Sequence, residues 1–249
     1  MPVLGVIPAR LGSARLPRKP LRLLAGDPLI LWVLRRLTDL RVCDRVVVAT
    51  ESDEVASIVT RAGGEAVLTS PRHESGTERI SEVITKKQYT GYDLILNVQG
   101  DEPLVAPAAI RGTLDRLASG DPIGTAAGTL DPRLVADPNR VKVVVGPNGR
   151  AVYFSRAPIP FDRDAGGQVE YHQHVGVYGY TRDALARWVK LPPVPEEQWE
   201  RLEQLRPLLH GIPIGVALFS EAPAPGIDTA ADLEWAEATL TRQLKEVSS

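Results

Sequence analysis

For its first 120 residues the chain alternates short apolar runs with amphipathic stretches. A β-branched run over 3–7 stops at Pro8 and predicts a buried strand. Similar runs predict strands at Arg45–Thr50, Glu65–Leu68 and Leu94–Val98. Between them, apolar positions spaced near 3.6 residues predict helices over 29–40, 52–62 and 77–87, and another follows at Pro107–Ala118. Asp27-Pro28 reads as a cap followed by proline at the first helical position, and Gly63-Gly64 as a helix stop. Strands alternating with helices in this way form βαβ units, with right-handed crossovers and a largely parallel sheet.

Past residue 120 the rhythm changes. Strand candidates at 124–129, 141–145, 151–154 and 174–180 follow with few helices between them, and Asn148-Gly149 marks a hairpin turn. Helices are predicted over 182–190 and 196–210, a strand at Ile214–Phe219, and a closing helix over 231–245 with Thr229 and Asp232 as its capping box. There is no internal repeat and no low-complexity linker. One α/β domain with a mixed, antiparallel extension accommodates this order better than two independent domains, and an extension of that kind is often a dimer surface.

Composition narrows the chemistry. The chain has 249 residues and a formal net charge of −2, which argues against a protein held to nucleic acid by counterion release. The single cysteine, Cys43, excludes an intramolecular disulfide framework and a four-cysteine zinc site. No apolar run approaches the roughly 20 residues of a membrane helix. The first eight residues lack the basic segment of a signal peptide, so a cytoplasmic protein without membrane insertion is expected.

Three stretches fall at predicted strand ends, where open parallel sheets bind ligands. The first, Pro8 to Pro20, places Arg10, Arg15 and Lys19 among small residues, a composition suited to phosphate oxygens. It is neither a Walker A loop nor a dinucleotide fingerprint. The second, Asn97-Val98-Gln99-Gly100-Asp101-Glu102-Pro103, ends a strand on a carboxylate of the kind Mg²⁺ shares with phosphates, although a turn-forming aspartate has the same pattern. The third, Gly226 to Asp232, carries Asp228 just before the closing helix, where a helix-dipole partner is the alternative. Ser75-Gly76-Thr77 either caps a helix or holds a base or sugar. Arg79, Arg156 and Arg206 together suit an acidic sugar, while His172-x-His174 lacks a third metal ligand and Cys43 lacks a basic partner.

In order and across nearly the whole chain, these stretches resemble the 3-deoxy-manno-octulosonate cytidylyltransferase (CMP-Kdo synthetase) family. The resemblance is carried by Ile7-Pro8-Ala9-Arg10, Ser13-Ala14-Arg15-Leu16-Pro17, Lys19-Pro20-Leu21, His73 to Arg79 and Asn97 to Pro103. It continues through Tyr153-Phe154-Ser155-Arg156, His174 to Tyr180, Leu202 to Arg206 and Asp228-Thr229. It implies a three-layer Rossmann-like nucleotidyltransferase fold, α/β, with a mostly parallel central sheet and a small mixed extension. The nucleotide-binding part would span about 1–120 and 215–249, and a sugar-binding and dimerisation extension about 121–214. The implied reaction is CTP + Kdo → CMP-Kdo + pyrophosphate, in the cytoplasm and in lipopolysaccharide biosynthesis, by a homodimer using Mg²⁺. The resemblance assigns CTP to Pro8, Ala9, Arg10, Ser13, Arg15, Lys19, Ser75, Gly76, Thr77, Gly100 and Asp101. It assigns the metal to Asp101 and Asp228, and catalysis to Arg10, Lys19 and these two aspartates. Arg79, Gln99, Arg156, His174, Tyr178, Glu203 and Gln204 fall on the sugar-acid side. Arg18 and Gln173 depart from the family pattern. A cytidylyltransferase for another sugar acid (8-amino-Kdo or sialic acid) and an inactive CTP-binding module remain open alternatives.

Overall fold

Strand β1 (Val3–Ala9) is buried over all but its first residues, the pattern of a strand covered on both faces. In this computed structural model, residues 1–12, 15–164 and 169–247 are described. Ser13, expected to touch nucleotide, lies outside them. After β1 the basic loop and one 3₁₀ turn (Lys19–Leu21) lead into a small ladder of β2 (Leu23–Leu24) with β3 (Asp27–Pro28), then α1 (Leu29–Asp39). Here the sequence reading is corrected. Asp27 does not cap α1. Ala25 (φ 46°) and Gly26 (φ 89°) turn the chain tightly, so Asp27 and Pro28 pair with β2 and Pro28 occupies the cap position. The Asp27 carboxylate instead accepts from Arg35.

The chain continues through β4 (Arg45–Thr50), α2 (Asp53–Arg61), β5 (Glu65–Leu68), α3 (Gly76–Thr85) and β6 (Leu94–Val98). The three helices pack on the strands. Ser52 and Ser75 cap α2 and α3 by accepting from backbone amides three residues on, and Gly63 (φ 81°) follows the end of α2. Strands β1, β4, β5 and β6 pair parallel throughout, in the order β6-β1-β4-β5, while the small β2–β3 ladder is antiparallel. Val6 lies opposite Val47 on one side and Asn97 on the other. The chain thus builds outward from β1 on one side through β4 and β5, then crosses to the other side for β6. That reversal creates a crevice above the carboxyl ends of β1 and β6.

Contacts divide the chain into two compact units, Met1–Leu104 with Ala224–Ser249, and Val105–Pro223. The second begins with α4 (Pro107–Ala118) and contains β7 (Ile123–Leu130), β8 (Lys142–Val145), β9 (Ala151–Ser155), β10 (Tyr171–Thr181) and α5 (Arg182–Trp188). It closes with α6 (Pro195–Glu200), α7 (Leu205–Leu209) and β11 (Ile214–Phe219). Its strands run β11-β7-β10-β8-β9, with only β11 and β7 parallel. Because α4 covers β7, β10 and β11, it and β11 group with this unit, not with the nucleotide-binding part as its expected limits have it. The hairpin signal at Asn148-Gly149 is realised between β8 and β9, with Gly149 at φ 71°.

The helix predicted over 196–210 is two helices. Arg201 takes a left-handed conformation (φ 54°, ψ 48°) and ends α6, and Gln204 caps α7. Pro207 demands this break, since proline fits a helix only in its first turn. The two short helices are tied by Arg206, whose Nε and Nη2 donate to the Glu197 carboxylate at 2.8 and 2.7 Å. The chain then returns to the first unit as α8 (Ala230–Val247). Its capping box is present: Asp232 N donates to Thr229 Oγ1 at 3.2 Å, and Asp232 Oδ2 accepts from Thr229 N at 2.8 Å.

The left-handed residue generates a stability prediction. Arg201→Val puts a β-branched residue into a conformation that already costs an ordinary side chain about 1–2 kcal/mol, so it is expected to lower stability further, by about 1 kcal/mol. Arg201→Gly should be neutral or stabilising. Urea denaturation of both variants checks the pair, and equal losses in both mean that the side chain rather than the backbone conformation matters.

Candidate active site

The crevice above β1 and β6 is built by close backbone approach. A Cβ on Gly100 would lie 2.7 Å from the Pro8 carbonyl oxygen, so only glycine lets the loop after β6 pass this near the end of β1. A Cβ on Gly76 would lie 3.2 Å from the Pro8 ring and 3.4 Å from Gln99 Oε1. The start of α3, the end of β1 and the loop after β6 therefore converge. Arg10 Nη1 donates to the Glu74 carbonyl at 3.3 Å, drawing the basic loop toward the same helix start. Ser75 Oγ accepts from Glu78 N at 3.2 Å, so its cap role is realised, and Thr77 is buried in the first turn. Backbone amides at a helix start favour an anion, which suits a phosphorylated ligand.

At the centre stands Lys19. Its Nζ donates to Asp101 Oδ2 at 2.6 Å and to Asp228 Oδ1 at 2.8 Å, so the two carboxylates approach within the span of those two contacts. Arg15 Nη2 donates to the other oxygen of Asp228 at 2.8 Å. Burial opposes the charge on Lys19, but the attraction of Asp101 and its hydrogen bonds to both aspartates outweigh it and raise the Lys19 pKa. Asp228 reaches this position because Ile227 N donates to the Asp101 carbonyl at 2.9 Å, and because the α8 capping box fixes the backbone immediately after it.

Glu102 belongs to this group and was not singled out from the sequence. Burial, with the adjacent charges of Asp101 and Asp228, pushes its carboxyl up to about 8, so it carries a proton at neutral pH. The signal in the sequence was adjacency to Asp101, which alone does not tell an inward from an outward side chain. Glu51 is a second such residue. It accepts from Leu11 N at 2.9 Å and pairs with Arg79 Nη2 at 3.0 Å, joining the basic loop to α3. Arg79, expected on the sugar-acid side, is buried in this ion pair and also donates to Thr69. Arg18, one of the departures, pairs with Glu54.

The remaining sugar-acid candidates apart from Gln99 lie in the second unit. Arg156 follows β9, and its Nε and Nη1 donate to the carbonyls of Glu200 and Pro138 at 2.6 and 2.8 Å. Its backbone N donates to the Glu200 carboxylate at 2.8 Å, and the buried Lys142 ammonium donates to its carbonyl. Arg156 is thus held by its own main-chain surroundings. Gln204 is buried, and Glu203 precedes it in the corner between α6 and α7, not on a continuous helix. The rings of His174 and Tyr178, both on β10, lie 5.3 Å apart. Burial pushes His174 down to about 3, leaving it neutral, and the buried Tyr178 hydroxyl has no hydrogen-bond partner among the described residues. An orphaned buried hydroxyl is the mark of a site awaiting a polar ligand. Gln173, the other departure, accepts from Arg140 at 2.8 Å. Arg206 is committed to Glu197, and burial pushes the Cys43 thiol up to about 12, far from a reactive thiolate.

Among the described residues no three His, Cys, Asp or Glu side chains cluster as a self-sufficient metal site. The donor set at Asp101 and Asp228 nevertheless fits Mg²⁺. That ion is commonly held by one or two carboxylates, with waters and substrate phosphates completing its octahedron. The Lys19 ammonium between the two aspartates demonstrates that their oxygens converge on a cation.

Comparison with known proteins identifies the family. The cytidylyltransferase family profile matches residues 4–214. The 3-deoxy-manno-octulosonate cytidylyltransferase of Gemmatimonas aurantiaca is 50% identical over 238 residues, spanning 94% of this chain and 92% of its own length. Its counterpart in Aliivibrio fischeri is 43% identical over 95% of this chain and 98% of its own. A CMP:2-keto-3-deoxy-manno-octonic acid synthetase solved in complex with CTP superposes with a TM-score of 0.91 at 40% identity, covering 98% of this chain and all of that one. A putative glucose-1-phosphate thymidylyltransferase from Bacillus anthracis shares the fold alone, with a TM-score of 0.68 at 16% identity over 95% of this chain and 94% of its own. With half its residues identical to one such enzyme along nearly the full length of both, this chain belongs to the 3-deoxy-manno-octulosonate cytidylyltransferase family.

Proposed function

We infer that this protein is a nucleotidyltransferase that moves CMP from CTP to the anomeric hydroxyl of Kdo, giving CMP-Kdo and pyrophosphate. The observation that carries this reading is the convergence of Arg15, Lys19, Asp101 and Asp228 at the switch-point crevice of a chain from this family. The sugar oxygen attacks the α-phosphorus in line, forming the new oxygen–phosphorus bond as the bond to pyrophosphate breaks and the hydroxyl proton departs. No covalent protein intermediate is required, so positioning and charge neutralisation dominate.

Arg10, Arg15 and Lys19 offer the triphosphate positive charge, and Lys19 leaves its aspartates for phosphate oxygens when nucleotide arrives. Pro8, Ala9 and Gly100 let the backbone approach the nucleotide, and Ser75, Gly76 and Thr77 hold its base and ribose. Asp101 and Asp228 would hold Mg²⁺, which would supply neutralisation of phosphate charge and polarisation at phosphorus. In the second unit, Arg156, His174, Tyr178, Glu203 and Gln204 bind and orient the sugar acid, while Arg79 stays in its ion pair with Glu51. Phe161, Trp199 and Val152, large apolar side chains exposed in the second unit, support a homodimer formed through that unit. Sedimentation at micromolar concentration tests this, with a dimer expected and a monomer overturning it.

Pyrophosphate release with CTP and a panel of 3-deoxy sugar acids tests the activity. Kdo is expected to be the preferred acceptor. Preference for 8-amino-Kdo or sialic acid replaces the acceptor, and CTP binding without turnover replaces the enzyme with a binding module. Asp101→Asn and Asp228→Asn should fold normally and each lose at least about 100-fold in kcat, roughly 2.7 kcal/mol of barrier. Together they should be far less than additive if they act as one unit. Steady-state kinetics of the two single variants and the double variant decides this, and near wild-type kcat in either single variant removes that aspartate from the metal site.

Lys19→Met leaves two carboxylates facing each other without their shared cation. A stability loss of about 1–2 kcal/mol is expected at pH 7, discounted because Asp228 is nearly half exposed. Because the folded state raises the Lys19 pKa, the deficit should be full below about pH 10 and shrink as pH rises and the wild-type ammonium deprotonates. Thermal unfolding from about pH 7 to about pH 11 measures it, and a deficit that does not change with pH points to lost packing rather than lost charge.

A further inference from the structure

Strand β10 does not run evenly beside β7. Val175 lies opposite Ala126, but the next residue of β7, Thr125, lies opposite Tyr178, so Gly176 and Val177 are extra residues on β10. A regular strand rises about 3.3 Å per residue, which sets positions four apart at about 13 Å. The bulge shortens this, and the rings of His174 and Tyr178 come within 5.3 Å. A bulge also leaves carbonyls without ladder partners. Here one side chain reaches them: the fully buried Thr125 Oγ1 donates to the Val177 carbonyl oxygen at 2.7 Å and lies 3.4 Å from that of Val175.

The same hydroxyl oxygen lies 3.1 Å from His174 Nε2. A threonine hydroxyl has one proton to donate, and the short contact to the Val177 carbonyl takes it. Toward His174 the oxygen can then only accept, so Nε2 carries the ring proton. A neutral imidazole with its proton on Nε2 has a bare lone pair on Nδ1. Burial keeps the ring neutral, and Phe154 packs edge-on against it at 5.1 Å, fixing its plane.

We propose that Thr125 is a positioning residue for the sugar-acid site. Its hydroxyl closes the β10 bulge and fixes His174 as the Nε2–H tautomer, so that His174 accepts at Nδ1 from a hydroxyl of the substrate and does not read its carboxylate. This rests on the assignment of His174 to the sugar-acid site.

The test uses the full-length protein labelled with ¹⁵N-histidine, with Thr125→Val and Thr125→Ser variants. The wild-type spectrum should show His174 neutral and protonated on Nε2, and saturating Kdo should leave it neutral. A proton on Nδ1, or an imidazolium pattern when Kdo binds, overturns the proposal. Thr125→Val, of nearly equal volume, should raise the KM for Kdo about tenfold, the worth of one misplaced hydrogen bond, and leave the KM for CTP within about twofold. Thr125→Ser should restore the wild-type value. An unchanged Kdo KM in a folded Thr125→Val protein overturns the proposal, and if that variant fails to fold the wild-type tautomer decides. His174→Ala separates the underlying assignment: an unchanged Kdo KM there removes His174 from the sugar site, while an Nε2–H ring in the wild type still upholds its positioning by Thr125.

Discussion

Two carboxylates 127 positions apart in the chain share one ammonium, and the architecture of the first unit follows from what that contact requires. Asp101 and Asp228 repel each other unless a cation lies between them, and the Lys19 Nζ fills that place at hydrogen-bond distance from both. To bring Lys19 there, the loop after β1 must fold back over the crevice. To bring Asp228, the chain must return after a whole second unit and dock its last helix. The hydrogen bond from Ile227 N to the Asp101 carbonyl and the Thr229–Asp232 capping box are the local means of that return. The protonated Glu102 is the electrostatic residue of the same crowding: a third negative charge beside these two is suppressed by burial and repulsion.

The second unit solves a different problem, the presentation of uncharged polar groups from a sheet. A regular strand would place His174 and Tyr178 on one face but too far apart for their rings to touch. Two extra residues bring them together, and a single threonine from the neighbouring strand donates to one of the carbonyls in the bulge, that of Val177. Arg156 is handled likewise, its guanidinium held by carbonyls of the α6–α7 corner and of Pro138, and its own carbonyl by the buried Lys142. Rigidity of this kind suits selection among similar sugar acids, where the geometry of hydroxyl contacts matters more than net charge.

Much of this was legible in the sequence. The strands Arg45–Thr50, Glu65–Leu68, Leu94–Val98 and Ile214–Phe219 are continuous β-branched or apolar runs bounded by polar or turn residues, and their limits agree with the structure. The placing of basic residues at the first strand end followed from strand order, and the pairing of Asp101 with Asp228 from the resemblance to the family. What escaped depends on tertiary context. Asp27-Pro28 has the composition of a helix start, but the Ala25-Gly26 turn takes those residues into a ladder. The apolar spacing of Trp199, Leu202, Leu205 and Leu208 continues smoothly across Arg201, and only Pro207 signalled that the helix must restart. Glu51, Lys142 and Thr125 carry no motif, since each matters through one partner that lies far away along the chain.

The discontinuity of the first unit has a consequence for biosynthesis. A ribosome completes Lys19 and Asp101 early, then makes all of Val105–Pro223 before Asp228 emerges. Until then Lys19 has one aspartate instead of two, and the crevice lacks the helix that frames it. A nascent chain can therefore assemble its parallel strands and its second unit, yet it gains the paired carboxylates only when translation is nearly finished. Messages cut short before codon 228 would yield products without the second aspartate, so the order of synthesis itself withholds the site from incomplete products.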